Sequence, residues 1–89
     1  MTVTKQMTIT RADFVRLLKR LAGDGLRQMG AGCWAVGEVL ITVEEMEDLR
    51  IGGLVLPRLR VHLDISALEA GAATEFLELF DRTFRRGGG

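Results

Sequence analysis

A chain of 89 residues with 47% hydrophobic and 27% charged side chains has the balance of a folded domain and excludes a disordered one. One domain is expected; at this size it buries roughly 65% of the surface its unfolded chain exposes, a thin core that association with a second chain can supplement. A formal net charge of zero excludes a uniformly basic nucleic-acid binder and an acidic tail.

The signs are nevertheless segregated. Residues 1–30 carry six bases (Lys5, Arg11, Arg16, Lys19, Arg20, Arg27) against Asp13 and Asp24, whereas residues 31–48 carry five acids (Glu38, Glu44, Glu45, Glu47, Asp48) and no base. Blocks of this kind complement each other within a fold or across an interface. No apolar run approaches the roughly 20 residues of a membrane span, and Met1–Thr10 alternates where a secretory signal has a continuous apolar block. The expected location is the cytoplasm. One cysteine, Cys33, and one histidine, His62, cannot build a disulfide or a closed zinc site within the chain, and no cofactor is expected.

Along the chain, Thr2–Thr10 places Val3, Met7 and Ile9 on one parity, interrupted by Lys5, which is the pattern of a strand with one buried face. Thr10 with Asp13 three residues later forms a helix start, and Phe14, Leu17, Leu18 and Leu21 make one apolar stripe that Gly23-Asp24-Gly25 terminates. The spacing predicts a helix over Arg11–Ala22. From Leu26 to Gly37 glycines interrupt the pattern, so a short strand or an irregular connection is expected, centred on Cys33–Val36.

Glu38–Glu44 is β-branched and aliphatic and predicts a strand. Glu44–Asp48 is too charged for a sheet centre and is expected to be a hairpin connection. Leu49–Leu56 is again strand-like, with Gly52-Gly53 as a bulge or a tight turn, and Pro57 belongs at an edge, a bulge or a strand start. Arg58–Ile65 alternates cleanly, with Leu59, Val61, Leu63 and Ile65 against Arg58, Arg60, His62 and Asp64, which predicts an antiparallel strand with one wet side. Ser66 and Glu69 form a capping box, and Ala72, Ala73, Phe76, Leu77, Phe80 and Phe84 continue at helical spacing, with Gly71 delaying the regular helix to about Ala72. Glu78 with Arg82 and Asp81 with Arg85 are helix-favouring pairs four residues apart.

The order predicts a two-layer α+β sandwich: an antiparallel sheet with two helices on one face, in the order β-α-β-β-β-α with room for one extra short strand. Its layers are similar to ferredoxin-like arrangements, except that the second helix comes last. Residues 1–86 are expected to form the domain and 87–89 a glycine tail.

Candidate chemistry is sparse. His62 is the residue type most often used as a general base and shares its face with Arg60 and Asp64, but no nucleophile stands beside it in sequence. Cys33 beside Trp34 reads as a small buried hydrophobe or a reactive thiol, and nothing in the sequence brings it to His62. Glu44, Glu45, Glu47 and Asp48 could gather a divalent cation, but their spacing fits no calcium loop and they read as a solvated acidic turn that sets partner choice or solubility. Arg16, Lys19 and Arg20 form a basic surface on the first helix, where Arg16 and Arg20 repel at i, i+4 and favour an acidic partner, including the 44–48 segment of a second copy. Nucleic acid fits poorly, because the aromatic residues needed for stacking are mostly committed to the core.

Residues Arg85-Arg86-Gly87-Gly88-Gly89 resemble the tails of ubiquitin-like proteins and small sulfur carriers. That resemblance implies activation of a terminal carboxylate at Gly88-Gly89 and its transfer to a thiol or amine, although here the tail follows a helix. Three functions follow from the sequence. The first is a small non-catalytic accessory or interaction domain that binds a protein or a second copy of itself, through Arg58, Arg60 and His62 or through its charged helix and loop. The others are a carrier modified at its terminal glycine and a small enzyme using His62 or Cys33.

Overall fold

The structure, a computed structural model, describes residues 1–87. Its elements are β1 (Thr2–Met7), α1 (Arg11–Ala22), β2 (Leu26–Gly30), β3 (Cys33–Val36), β4 (Val39–Ile51), β5 (Leu54–Asp64) and α2 (Ala70–Gly87). The five strands form one antiparallel sheet in the order β1-β5-β4-β3-β2, so β2 to β5 make a meander and β1 closes against the last strand. This is a two-layer α+β fold with a core between the sheet and both helices.

The first helix follows directly from its sequence. The Thr10 hydroxyl accepts the Asp13 amide at 3.1 Å, and Gly23, at φ 59°, donates its amide back to the Lys19 carbonyl. Phe14, Leu17 and Leu18 are fully buried on the stripe that the spacing defined. Phe14 stacks on Phe84 of α2, with ring centroids 5.1 Å apart, and approaches Trp34 of β3 at 6.2 Å. One aromatic junction therefore joins both helices to the sheet. Beneath it lie the odd-numbered residues of the central strands, Val39 and Ile41 of β4 and Leu59, Val61 and Leu63 of β5.

Several expectations are corrected. The short strand expected at Cys33–Val36 is β3, but Leu26–Gly30 before it is also a strand, β2, so the two make a hairpin; the weak pattern reflects β2 being an exposed edge strand. Its turn requires Gly32, at φ 80°, where an added Cβ would stand 3.2 Å from the Val43 carbonyl. Strand β1 ends at Met7, and Ile9 is buried from the connection instead. Lys5, which breaks the apolar parity of β1, lies on the helix side and reaches Asp81 of α2 at 2.8 Å. Asp81 is thus drawn across to the sheet, and among the described residues neither expected i, i+4 pair in α2 closes.

The second helix also starts differently. The Ser66 hydroxyl donates to the Asp64 carboxylate at 2.6 Å while its oxygen accepts from the Met1 ammonium at 2.6 Å, so the oxygen is not spent on a helix amide and the expected capping box does not form; a turn intervenes, and the first helical bond runs from the Ala73 amide to the Glu69 carbonyl. The helix extends to Gly87, one residue beyond the expected domain boundary, and the rest of the expected glycine tail, Gly88 and Gly89, lies outside the described residues. Among the described residues no helix is long and apolar enough to cross a membrane.

The largest departure concerns Glu44–Asp48, which is a continuous part of β4 and not a connection. The register explains how a charged segment enters the strand. Met46 pairs with Arg58 and Leu49 pairs with Leu56, so Glu47 and Asp48 together oppose Pro57. This is a bulge, placed where the partner strand has no amide to donate. Glu44 faces the open side, and Glu45, Glu47 and Asp48 are exposed, so no carboxylate enters the core. The hairpin turn falls at Gly52-Gly53, with Gly52 at φ 58°.

Candidate functional site

Both helices cover one side of the sheet, and the other side is open. Residues paired across antiparallel strands share a face. The registers therefore place Thr4, Gln6, Asp64, His62, Arg60, Arg58, Leu40, Thr42, Glu44 and Met46 together on that open side. Alternation in β5 holds from Arg58 to Asp64, where Leu59, Val61 and Leu63 are buried while their even neighbours are half-exposed. The predicted wet side of Arg58, Arg60 and His62 is thus the open side of the sheet.

Two adjoining regions occupy this side. The first is polar and centres on His62. Its Nε2 lies 2.6 Å from Glu44 Oε1, and its Nδ1 lies 3.0 Å from Thr4 Oγ1. An ionised carboxylate can only accept, so Nε2 carries the proton toward Glu44, and in the neutral ring Nδ1 accepts the Thr4 hydroxyl. Arg60 Nη1 stands 3.9 Å from the other Glu44 oxygen. Three strands thus contribute a chain of hydroxyl, imidazole, carboxylate and guanidinium. At the near end, two hydrogen bonds from Ser66, one from its hydroxyl and one from its amide, hold the Asp64 carboxyl below its ordinary pKa.

The second region is an apolar arm. Beyond the pair of Glu45 and Leu59, β4 and β5 continue with neither β1 nor β3 beside them. β4 alone, thirteen residues long, spans about 40 Å at strand rise. On the arm's open side the pairs Leu49 with Leu56 and Ile51 with Leu54 lie next to each other. Ile51 is 57% exposed and Leu54 62%. The bulge produces this face: it inserts one residue, so the odd positions of β4, which point to the core at Val39, Ile41 and Val43, point away from it at Leu49 and Ile51.

The remaining sequence candidates do not converge here. Glu44 joins the His62 cluster, but Glu45 pairs with Leu59 and so takes the helix side, and at the bulge the Glu47 backbone carbonyl accepts a bond from Arg58 Nε at 3.0 Å. Strand alternation therefore separates the three acids, and among the described residues no group of three His, Cys, Asp or Glu side chains is placed to hold a metal. Arg16, Lys19 and Arg20 are exposed on α1, in the helix layer, with Arg16 3.6 Å from Asp13. They cannot act with Arg60 and His62 on one ligand. Cys33 pairs with Thr42, which pairs with His62, so thiol and imidazole share a face and a row but sit two strands, about 10 Å, apart.

Sequence reasoning missed Thr4 and the apolar arm. The alternation of β1 placed Thr4 on its polar side, but only the β1–β5 register sets it opposite His62. A groove of about 490 Å³ between β1 and α2, lined by Lys5, Met7, Phe80 and Phe84, and another of about 400 Å³ beside Arg11, Lys19 and Trp34, include neither Thr4 nor His62. Comparison of the chain with models of known protein families and with curated proteins found no match.

Proposed function

We propose that this protein is a small non-catalytic interaction module of the cytoplasm that docks another protein on the open side of its sheet, with the β4–β5 arm as the principal contact. The observation that carries this reading is the arm itself. A two-stranded hairpin extending past its sheet is marginal in water, and four large aliphatic side chains share one of its faces. Exposed contiguous apolar surface rimmed by charge is the usual mark of a protein contact. The rim here is Arg58, Arg60 and Glu44, which would set orientation and partner choice while the aliphatic residues supply burial.

A photo-crosslinking residue placed at position 54 tests it. The expected outcome is a discrete protein adduct in cells that is absent when the same residue is placed at Glu75, exposed on α2, and is lost when Ile51→Asp is added. Equal adducts at 54 and 75, or none at 54, would refute the reading.

A small enzyme is the second reading, favoured by the hydrogen bonds linking Thr4, His62 and Glu44. An acyl-transfer site also needs donors aimed at a developing oxyanion and a wall that excludes water. Here the hydroxyl lies on a flat, solvated strand face, and for that reason the interaction reading is preferred. Hydrolysis of a model ester to its acid and alcohol that disappears in His62→Gln would reverse that preference.

A further inference from the structure

We infer that the partner of the open side is a second copy of this chain, packed face to face about a two-fold axis that runs parallel to the strands between β4 and β5. This rests on the interaction reading above and adds the identity of the partner.

The argument comes from the cross-strand rows. Such an axis lays β4 of one protomer over β5 of the other at the same height, so each residue meets the partner's copy of the residue it already pairs with. Within one protomer the rows are Ile51 with Leu54, Leu49 with Leu56, Met46 with Arg58, Glu44 with Arg60, and Thr42 with His62. Across the axis these become two aliphatic rows at the arm, then a thioether against the stem of an arginine, then two acid-base contacts, then threonine against imidazole. These five rows are each complementary to themselves, as an isologous interface requires; the end row, Leu40 with Asp64, is not, and there the Asp64 carboxylate keeps its two hydrogen bonds from Ser66. The Arg58 stem can cover Met46 while its charge stays wet.

The other simple choice, a two-fold axis across the strands with the same overlap, lays Arg58 on Arg60 and Leu54 on Asp64. An aliphatic side chain meets Asp64 in either arrangement, but only this one sets like charges together where the other sets Glu44 against Arg60, so charge selects the parallel arrangement. Packed sheets keep their strands within about 30° of each other, which the twist of the two arms accommodates. The result is a four-layer α-β-β-α dimer whose aliphatic arms cover each other. The strip is only two strands wide, narrower than the standard interface of about 800 Å² per partner, so the dimer is expected to form in the micromolar range.

Sedimentation equilibrium of the purified chain from about 5 to 500 μM at low salt tests this, with far-UV circular dichroism confirming that each variant is folded. The mass should rise from 9.8 kDa toward twice that value across this range. Leu54→Asp, at an exposed tip remote from the core, should weaken the dimer at least tenfold.

The decisive variants are Glu44→Arg and Arg60→Glu. Each alone sets like charges across the axis and should be monomeric, whereas an equimolar mixture of the two restores both opposite-charge contacts and should give a heterodimer. A wild-type chain that stays monomeric at 500 μM would overturn the inference, as would a dimer indifferent to Leu54→Asp and to both charge reversals. If the purified chain is monomeric while the crosslinker at position 54 still captures a different protein in an Ile51-dependent way, the second copy is refuted and the interaction reading stands. If both fail, the open side is not a docking surface.

Discussion

Replacing Phe14 with alanine tests whether the helices are fastened to one side of the sheet, the condition that leaves the other side free. Phe14 is 0% exposed and its ring meets Phe84 of α2 and Trp34 of β3, so truncation empties the junction of all three elements. Removing a buried phenylalanine costs about 3–5 kcal/mol through lost transfer energy and the cavity left behind. A domain of this length has a total stability of about 4–13 kcal/mol, so the loss is about a quarter of it at the least. Urea denaturation followed by tryptophan emission measures it, because Trp34 is the single tryptophan and is only 4% exposed. With a slope of about 1 kcal/mol per molar urea, the midpoint should fall by about 3 M or more, or the variant should already be unfolded in buffer. Leu54→Ala at the exposed tip provides the contrast, with an expected change within about 0.5 kcal/mol. A shift below about 1 M for Phe14→Ala would show that the junction does not hold the layers together.

Thr10→Ala removes the oxygen that accepts the Asp13 amide and should cost about 1 kcal/mol in the same titration. Gly32→Ala forces a side chain into a left-handed turn and against the Val43 carbonyl, and should cost more than about 1 kcal/mol, read as a lowered thermal midpoint. Ser66→Ala has a pH signature. Because the folded-state pKa of Asp64 is depressed, the stability linked to it is present above the ordinary carboxylate range and is lost as pH falls through the folded value. The gap in thermal midpoint between wild type and Ser66→Ala should therefore narrow on acidification below the ordinary carboxylate range; a gap of constant size from neutral to strongly acidic pH would show that Asp64 is not the linked group.

Where local spacing decides structure, the sequence was sufficient. Helix α1 has the boundaries, cap and stop read from Thr10, Asp13 and Gly23, because each of those interactions spans four residues or fewer. The alternation of Arg58–Ile65 likewise identified the wet side, since a strand's period of two is a property of its own backbone. Ser66 shows the limit of such reading, because its oxygen accepts the Met1 ammonium, sixty-five residues away, and its proton goes to Asp64, in place of the helix start.

What only the tertiary structure decided is which strands are neighbours and in what register. Glu44 meets His62 across eighteen residues of sequence and Thr4 meets it across fifty-eight, and these contacts depend on the order β1-β5-β4. The acidic run of β4 was misread for the same reason: one extra residue opposite Pro57 reverses the facing of everything beyond it. A period-two pattern read along a single strand carries no signal of that insertion, because a bulge is defined by the partner strand, and it is the bulge that turns Leu49 and Ile51 to the open side.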